Sequence, residues 1–218
     1  MENFERARQQ MVDTQLRTAS ITDSALLAAM ERVPRERFVP EARRPLAYVD
    51  VSHELNDTGR ALAAPMPFAR LVQLAEVTPN DVVLDVGCGS GYSTAVLANL
   101  ASAVVALDDD AALVEQANDL LAELDIGNAA VLAGDLTAGV ASEAPFDVIV
   151  LEGAVDEVPP QLLKQLRDDG RLVAMAIEGA TCTARVYVKT GNDIAMRRSY
   201  NATMPRLVST KGRPEFAF

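Results

Sequence analysis

The spacing of apolar residues changes along the chain and divides it into three segments. In the first, apolar residues recur at helical spacing in residues 4–16 and 25–33, and Thr22 and Asp23 are candidates for the cap of the second run. Residues 51–64 show no clear period and predict a loop. The first segment is therefore predicted to be a helical extension that ends in a loop.

The second segment alternates short apolar runs with helical patterns. The helical patterns lie at residues 65–77, 92–100, 111–124 and 159–166. The apolar run at residues 82–86 is typical of a strand that is buried on both faces. Further strand patterns lie at residues 103–107, 129–133, 146–151 and 171–177. Strands separated by helices predict a parallel, doubly wound sheet.

The third segment contains two further strand patterns, at residues 183–189 and 194–200, around a turn at residues 190–193. This hairpin adds antiparallel strands at one edge of the sheet. A length of 218 residues favours one domain. We predict a single α/β domain with a mostly parallel seven-stranded sheet, composed of a helical extension and loop (1–64), an α/β core (65–178) and C-terminal antiparallel strands (179–218).

The charge is distributed unevenly. The formal net charge is −11, and residues 51–150 carry fifteen acidic and two basic side chains. An acidic chain repels phosphate backbones, so we expect no nucleic-acid partner. The acidic residues of the middle segment favour binding of a cationic small molecule. Carboxylates that lie on the surface of helices and keep the protein in solution explain the same pattern.

The numbers of cysteine and histidine residues bear on the cellular location of the protein and on whether it binds a metal. Cys88 and Cys182 are far apart and indicate free thiols in a reducing compartment, so we expect a cytoplasmic protein. The charged N-terminus and the lack of a long apolar run predict no membrane association. One histidine, His53, and two unpaired cysteines predict no metal site.

The sharpest local feature is a glycine-rich turn between a predicted strand and a predicted helix. Glycines let backbone amides and the helix N-terminus approach a ligand closely. Tyr92 stands where a dinucleotide fingerprint requires its third glycine, and no P-loop lysine follows, so neither nucleotide site is predicted. The segment reads Asp85-Val86-Gly87-Cys88-Gly89-Ser90-Gly91.

Two more carboxylate motifs follow the next predicted strands. Asp108 and Asp109 come at the end of one, where Asp108 could accept hydrogen bonds from both hydroxyls of a ribose, and Gly134-Asp135 follows the other. With Asp85 before the glycines, this order resembles class I S-adenosylmethionine-dependent methyltransferases. The resemblance implies a Rossmann-like fold and S-adenosylmethionine as cofactor, with Asp85 at its ammonium group and Asp135 near its adenine. Structural turns or a helix cap are the alternatives for the separate motifs.

Motifs along almost the whole chain resemble those of the protein-L-isoaspartate O-methyltransferase family. The resemblance implies methyl transfer to isoaspartyl carboxylates of damaged proteins or peptides. Such a carboxylate, with a pKa of about 4, is already ionised at neutral pH and needs no general base, so His53 is interpreted as a loop residue. The similar stretches are residues 11–17, 21–23, 33–40, 47–48, 144–147, 158–163 and 170–173.

The substrate and cofactor loop departs from this family. The family pattern is Gly-Gln-Thr-Ile-Ser-x-Pro, whereas this chain has Gly-Arg-Ala-Leu-Ala-Ala-Pro at residues 59–65. Ala63 replaces the serine that is usually treated as the active-site residue, and Ala61 replaces the threonine. No catalytic residue is assigned, while the resemblance places Leu62 and Ala63 at the cofactor. Arg60 is a candidate to bind a substrate carboxylate, or else a solvated loop residue.

Glu152 is a second departure, at the end of the fourth predicted strand, where the family has small neutral residues. It would repel a carboxylate substrate and favour an amine or hydroxyl acceptor, or else it is a surface or capping residue. Two alternatives to isoaspartyl methylation therefore remain: a methyltransferase for another small acceptor, and a protein that binds S-adenosylmethionine without turnover. An oxidoreductase is a third and weaker alternative, against which Tyr92 argues. The oligomeric state is not predicted.

Overall fold

A computed structural model describes residues 4–57 and 59–207. Its helices are α1 (Phe4–Met11), α2 (Ser24–Arg32), α3 (Pro65–Ala75), α4 (Tyr92–Ala98), α5 (Ala111–Glu123) and α6 (Pro160–Lys164). A π-helical turn (Val12–Leu16) extends α1, and 3-10 turns occur at Arg17–Ala19, Arg35–Arg37 and Glu41–Leu46. The strands are β1 (His53–Glu54), β2 (Ala61–Leu62), β3 (Val82–Val86), β4 (Ala103–Asp108), β5 (Ala129–Ala133), β6 (Phe146–Val155), β7 (Leu166–Glu178), β8 (Thr181–Thr190) and β9 (Asp193–Asn201).

Seven of these strands form one sheet in the order β5-β4-β3-β6-β7-β8-β9. The first five in this order pair in parallel, and β8 and β9 add antiparallel strands at one edge. The order reverses between β3 and β6, so the carboxyl ends of the parallel strands border a crevice at that point. The predicted doubly wound sheet with an antiparallel edge is confirmed.

The central strands are buried on both faces of the sheet, and successive residues along each of them point to opposite sides. The edge strands β5 and β9 are largely exposed. Val83 packs in the core cluster that contains Leu71 of α3 and Leu97 of α4, whereas its neighbour Leu84 packs in the cluster that contains Leu162 of α6. The central strands therefore consist of nearly continuous apolar runs and do not alternate apolar with polar residues.

Side-chain caps set the start of two helices. Asp23 accepts hydrogen bonds from the backbone N–H groups of Ala25 and Leu26, which confirms it as the cap of α2, and the N–H of Thr22 instead donates to Gln73. Asp110 caps α5 in the same way. Because β4 ends at Asp108 and α5 begins after Asp110, the three consecutive carboxylates Asp108, Asp109 and Asp110 lie at the carboxyl edge of the sheet.

Most boundaries differ from the predicted ones by one or two residues, and β7 begins at Leu166, five residues before the predicted start at residue 171. Three other differences have identifiable causes. The predicted loop at 51–64 contains the antiparallel pair β1–β2. The strand predicted at 146–151 continues to Val155 through a register irregularity, and Leu207 donates from its backbone N–H to the Ala154 carbonyl. The helix predicted at 159–166 ends at Lys164, because Leu166 pairs with Phe146 in the sheet.

Within the described ranges, no helix is long and apolar enough to cross a membrane. The end of the predicted C-terminal segment, residues 208–218, lies outside the described residues.

Candidate functional site

The glycine-rich turn connects β3 to α4 at the carboxyl edge of the sheet. Gly87, Gly89 and Gly91 have φ angles of 81°, 55° and 89°, which residues with a Cβ rarely adopt. The Gly87 N–H donates to the Leu107 carbonyl at 2.7 Å, so the turn is attached to the end of β4. The turn therefore presents its backbone beside the carboxylates that end β4.

Asp108 is the first of those carboxylates and ends β4. It is fully buried, and its Oδ2 accepts a 2.8 Å hydrogen bond from the Gly89 N–H while Oδ1 accepts one of 3.1 Å from the Asp110 N–H. Burial raises the pKa of Asp108, and the nearby Arg60 guanidinium opposes that rise. Since Asp110 is the residue that caps α5, the helix-cap alternative for Asp108 is wrong.

Arg60 lies against this acidic edge. Its Nε lies 3.2 Å from Asp108 Oδ2, and its other guanidinium nitrogen, NH2, donates to Asp109 Oδ1 at 2.6 Å. All three side chains are almost completely buried. Arg60 is therefore not a solvated loop residue, and in this structure it is paired with the carboxylates of the predicted cofactor site.

Asp85, at the other side of the glycine turn, is also fully buried. Its Oδ2 accepts hydrogen bonds from the Ser93 hydroxyl at 2.8 Å and from the Thr94 hydroxyl at 2.7 Å. Its Oδ1 is buried and has no hydrogen-bond partner among the described residues. Burial raises the pKa of Asp85 to about 7, although the two hydroxyls oppose the shift.

The third motif lies at the same edge but is more exposed. The Gly134 N–H donates to the Asp108 backbone carbonyl at 2.9 Å, so this segment is attached to the end of β4. Asp135 is exposed, and its Oδ1 accepts from the backbone and the hydroxyl of Thr137, which forms a turn. The next residue, Leu136, lines a cavity of about 330 Å³ with Val86 and Leu151 at the switch point of the sheet.

The loop predicted to contact cofactor and substrate contains Leu62 and Ala63, which are both buried. The Ala63 carbonyl accepts a 2.6 Å hydrogen bond from Arg35, and Arg35 Nε donates to the Ala47 carbonyl at 2.8 Å. The guanidinium of Arg35 lies 4.7 Å from the centre of the Tyr92 ring. Arg35 is thus a buried support for this loop that sequence reasoning did not assign.

Glu152 lies on β6 and is almost fully buried, with no hydrogen-bond partner for Oε1 among the described residues. Burial raises the pKa of Glu152 well above its usual range, and the nearby Asp85 carboxylate raises it further. A surface or capping role is therefore wrong. Because Glu152 holds its proton more strongly than an exposed glutamate, it repels a carboxylate less than the sequence suggests.

Comparisons with known proteins identify the family of the chain. A family model described as protein-L-isoaspartate(D-aspartate) O-methyltransferase matches residues 6–210. A protein-L-isoaspartate O-methyltransferase from Serratia proteamaculans is 38% identical over 189 residues, which cover 87% of this chain and 90% of that protein. One from Aliivibrio fischeri is 41% identical over 167 residues, covering 77% and 80%.

Solved structures share the fold. A protein-L-isoaspartate O-methyltransferase superposes with a TM-score of 0.81 at 23% identity, covering 94% of this chain and 67% of its own. Another, from Plasmodium falciparum in complex with S-adenosyl-L-homocysteine, gives 0.76 at 22% identity, covering 95% and 99%. The family match over nearly the whole chain, together with the identity to these bacterial relatives, shows that the chain belongs to the protein-L-isoaspartate(D-aspartate) O-methyltransferase family.

Proposed function

We propose that this protein transfers the methyl group of S-adenosylmethionine to the side-chain-derived carboxylate of isoaspartyl residues in other proteins. Membership of the family supports the activity. The observation that carries the cofactor assignment is buried Asp108, which is held by the Gly89 N–H at the end of β4. A carboxylate fixed at this edge has two oxygens that can accept hydrogen bonds from the two hydroxyls of a ribose.

The donor set of the edge fits this cofactor. Asp85 keeps a buried oxygen without a partner among the described residues, and an ammonium group is the donor that such an oxygen requires. We assign Asp85 to the amino-acid end of the cofactor, Asp108 and Asp109 to the ribose, and Gly134 and Asp135 to the adenine end. Leu62 and Ala63 cover the cofactor from the loop.

The space over the glycine turn is filled by side chains in the conformation described, and this opposes binding. A Cβ at Gly89 would lie 2.7 Å from Leu55 Cδ1, and a Cβ at Gly87 would clash with Leu207. Leu55 and Leu207 are therefore packed directly on the backbone of Gly89 and Gly87. These side chains must move before a cofactor can contact the turn.

The reaction makes few chemical demands on the protein. When bound, the cofactor supplies a sulfonium group that leaves readily. The acceptor carboxylate, with a pKa of about 4, is ionised at neutral pH, so the protein needs no general base. The contribution of this chain is alignment and the exclusion of water, for which Arg35 holds the Ala63 carbonyl and the loop in place.

A different acceptor is the second candidate function. It is favoured by Glu152, a buried acid that could donate a hydrogen bond when protonated, and by the absence of hydroxyls at Ala61 and Ala63. A small hydroxyl- or amine-bearing acceptor would satisfy Glu152 Oε1.

The organisation proposed for the chain is one domain. Residues 1–64 cover the site, residues 65–178 hold the cofactor, and residues 179–218 add the antiparallel edge. We also propose a cytoplasmic location, which is supported by the free thiols of Cys88 and Cys182.

The proposed function is tested by calorimetric titration with S-adenosylhomocysteine, followed by transfer of a labelled methyl group to an isoaspartyl peptide. The matched control peptide carries normal aspartate at the same position. Binding with transfer to the isoaspartyl peptide alone is the expected result. Binding without transfer would support the second candidate, and an absence of binding would overturn the cofactor assignment.

The titration of Asp85 makes cofactor affinity dependent on pH. Burial raises the pKa of Asp85 to about 7. Ionised Asp85 attracts an ammonium group and protonated Asp85 does not, so affinity rises as pH rises through the pKa. We expect S-adenosylhomocysteine to bind about tenfold more tightly at pH 8 than at pH 6. Calorimetry measures this, and in Asp85→Asn the dependence should disappear. An unchanged slope in that variant would contradict the assignment.

The missing serine hydroxyl has its own test. Ala63→Ser is expected to raise isoaspartyl turnover about tenfold, because a hydrogen bond to a charged substrate contributes about 1.5–3 kcal/mol. The measurement is steady-state methylation of the isoaspartyl peptide. Ala64→Ser, which adds the same hydroxyl one position later, is the control. Equal rates for the two variants would indicate a pocket rebuilt around another acceptor.

A further inference from the structure

The segment around Arg60 forms a strap across the cofactor edge. We define the strap as residues 53–57 and 59–62. Its two short strands pair His53 with Leu62 and Glu54 with Ala61. The Leu55 N–H also donates to the Arg60 carbonyl at 2.9 Å. These bonds make the strap a small closed unit that can move without breaking the main sheet.

The strap contacts each of the three consecutive carboxylates at the end of β4. Arg60 contacts Asp108 at 3.2 Å and donates to Asp109 at 2.6 Å. Asn56 donates from Nδ2 to Asp110 Oδ2 at 2.7 Å. These contacts hold the strap where the hydroxyls of a ribose would have to approach.

The contact with Asp108 is the weakest part of this arrangement. Arg60 Nε is buried and makes no hydrogen bond within the described residues, although it lies 3.2 Å from Asp108 Oδ2. A buried donor without a partner opposes the closed state, and a buried ion pair offsets its own desolvation only when its geometry is good. Asp108 can therefore exchange Arg60 for hydroxyl donors once the strap has moved away.

Leu55 completes the closure. Its side chain occupies the space that a Cβ of Gly89 would need. The residues of the glycine turn from Gly87 to Gly91 are all buried in this conformation. Side chains of the same protein thus cover the backbone that the proposed cofactor would contact.

We propose that the strap is an inhibitory lid, held closed by Arg60 on Asp108 and Asp109, and that it must open before the ribose of the cofactor can bind. This inference rests on the proposed function. The apparent affinity for the cofactor is then the affinity of the open state reduced by the fraction of open molecules. Arg60 is a regulatory residue in this account and not a ligand of the substrate carboxylate.

The test compares the full-length protein with Arg60→Gln and Asn56→Ala, using S-adenosylhomocysteine in calorimetry and in stopped-flow association. Arg44→Gln, which removes an exposed arginine from a neighbouring turn, is the control. Arg60→Gln should bind about tenfold or more tightly than wild type, and Asn56→Ala should shift affinity in the same direction by less. The wild-type association rate should level off at high ligand concentration, at the rate of opening, with a higher plateau in Arg60→Gln.

Every other outcome either supports or overturns the proposed lid. Equal or weaker binding by folded Arg60→Gln, with Arg44→Gln like wild type, would overturn the lid while leaving the cofactor assignment intact. Binding by Arg60→Gln alone would be the strongest support. If neither wild type nor any variant binds, the proposed function fails, and the lid fails with it. If Arg60→Gln does not fold, an Asn56→Ala protein without any gain in affinity or rate overturns the lid.

Discussion

Asp108→Asn is expected to weaken S-adenosylhomocysteine binding about a hundredfold. Asp108 is fully buried and held by the N–H groups of Gly89 and Asp110, so its oxygens have fixed directions. We propose that Asp108 accepts two charge-assisted hydrogen bonds from ribose hydroxyls. Such bonds contribute about 1.5–3 kcal/mol each, and the amide of asparagine would retain only part of this contribution. Arg60 keeps its bond to Asp109, so the strap loosens only in part.

Titration calorimetry measures this loss, and circular dichroism melting establishes that the variant is folded. Asp119→Asn, which neutralises an exposed acid on α5, is the control and should bind like wild type. Unchanged affinity in Asp108→Asn would show that the ribose is not held at the end of β4. The assignment of Asp109 to the same hydroxyls would fail with it.

Arg35→Met is expected to destabilise the protein by about 3–5 kcal/mol. Arg35 is fully buried and donates to the carbonyls of Ala47 and Ala63, which are buried themselves. Methionine fills much of the volume but leaves both carbonyls without a donor, and it loses the interaction with the Tyr92 ring. Burial itself lowers the pKa of Arg35, which is the cost that these contacts offset.

Urea denaturation measures the change in the free energy of unfolding, as a shift of the denaturation midpoint with an unchanged m-value. Arg43→Met, at an exposed position of the same region, should change stability by less than about 0.5 kcal/mol. Arg35→Lys keeps the charge but lacks the planar fork, so it should recover only part of the loss. If Arg35→Met were as stable as the control, Arg35 could not be the support of the Ala63 loop.

The fold was predictable because the periodicity of buried strands is a local property. The run at Val82–Val86 has the predicted bounds, since both faces of a central strand require apolar residues. The run at Ala129–Ala133 also has the predicted bounds, although it is a largely exposed edge strand. The ends of β6 and α6 were not predictable. They depend on pairing between Phe146 and Leu166 and on a backbone bond from Leu207, which lies far away in sequence.

The structure of the strap was even less predictable from the sequence. Its strands are two residues long, too short for any period to appear in the sequence. The pairing of Arg60 with Asp108 and Asp109 joins residues almost fifty positions apart, so the guanidinium could not be assigned to the cofactor side from the loop alone. Arg35 likewise carried no signal, because it stands in the charged stretch Arg35-Glu36-Arg37 and nothing along the chain marks it as the buried one.

The sequence by itself determined the order of strands and helices, the glycine turn, the succession of carboxylates Asp85, Asp108 and Asp135, and the family, since all of these are patterns along the chain. Only the tertiary structure decided which polar groups are buried and which partners they have. It placed Arg60 on Asp108, gave Arg35 the Ala63 carbonyl, and enclosed Glu152 beside Asp85. Charge state and hydrogen bonding depend on burial and on neighbours in space, and these exist only once the chain is folded.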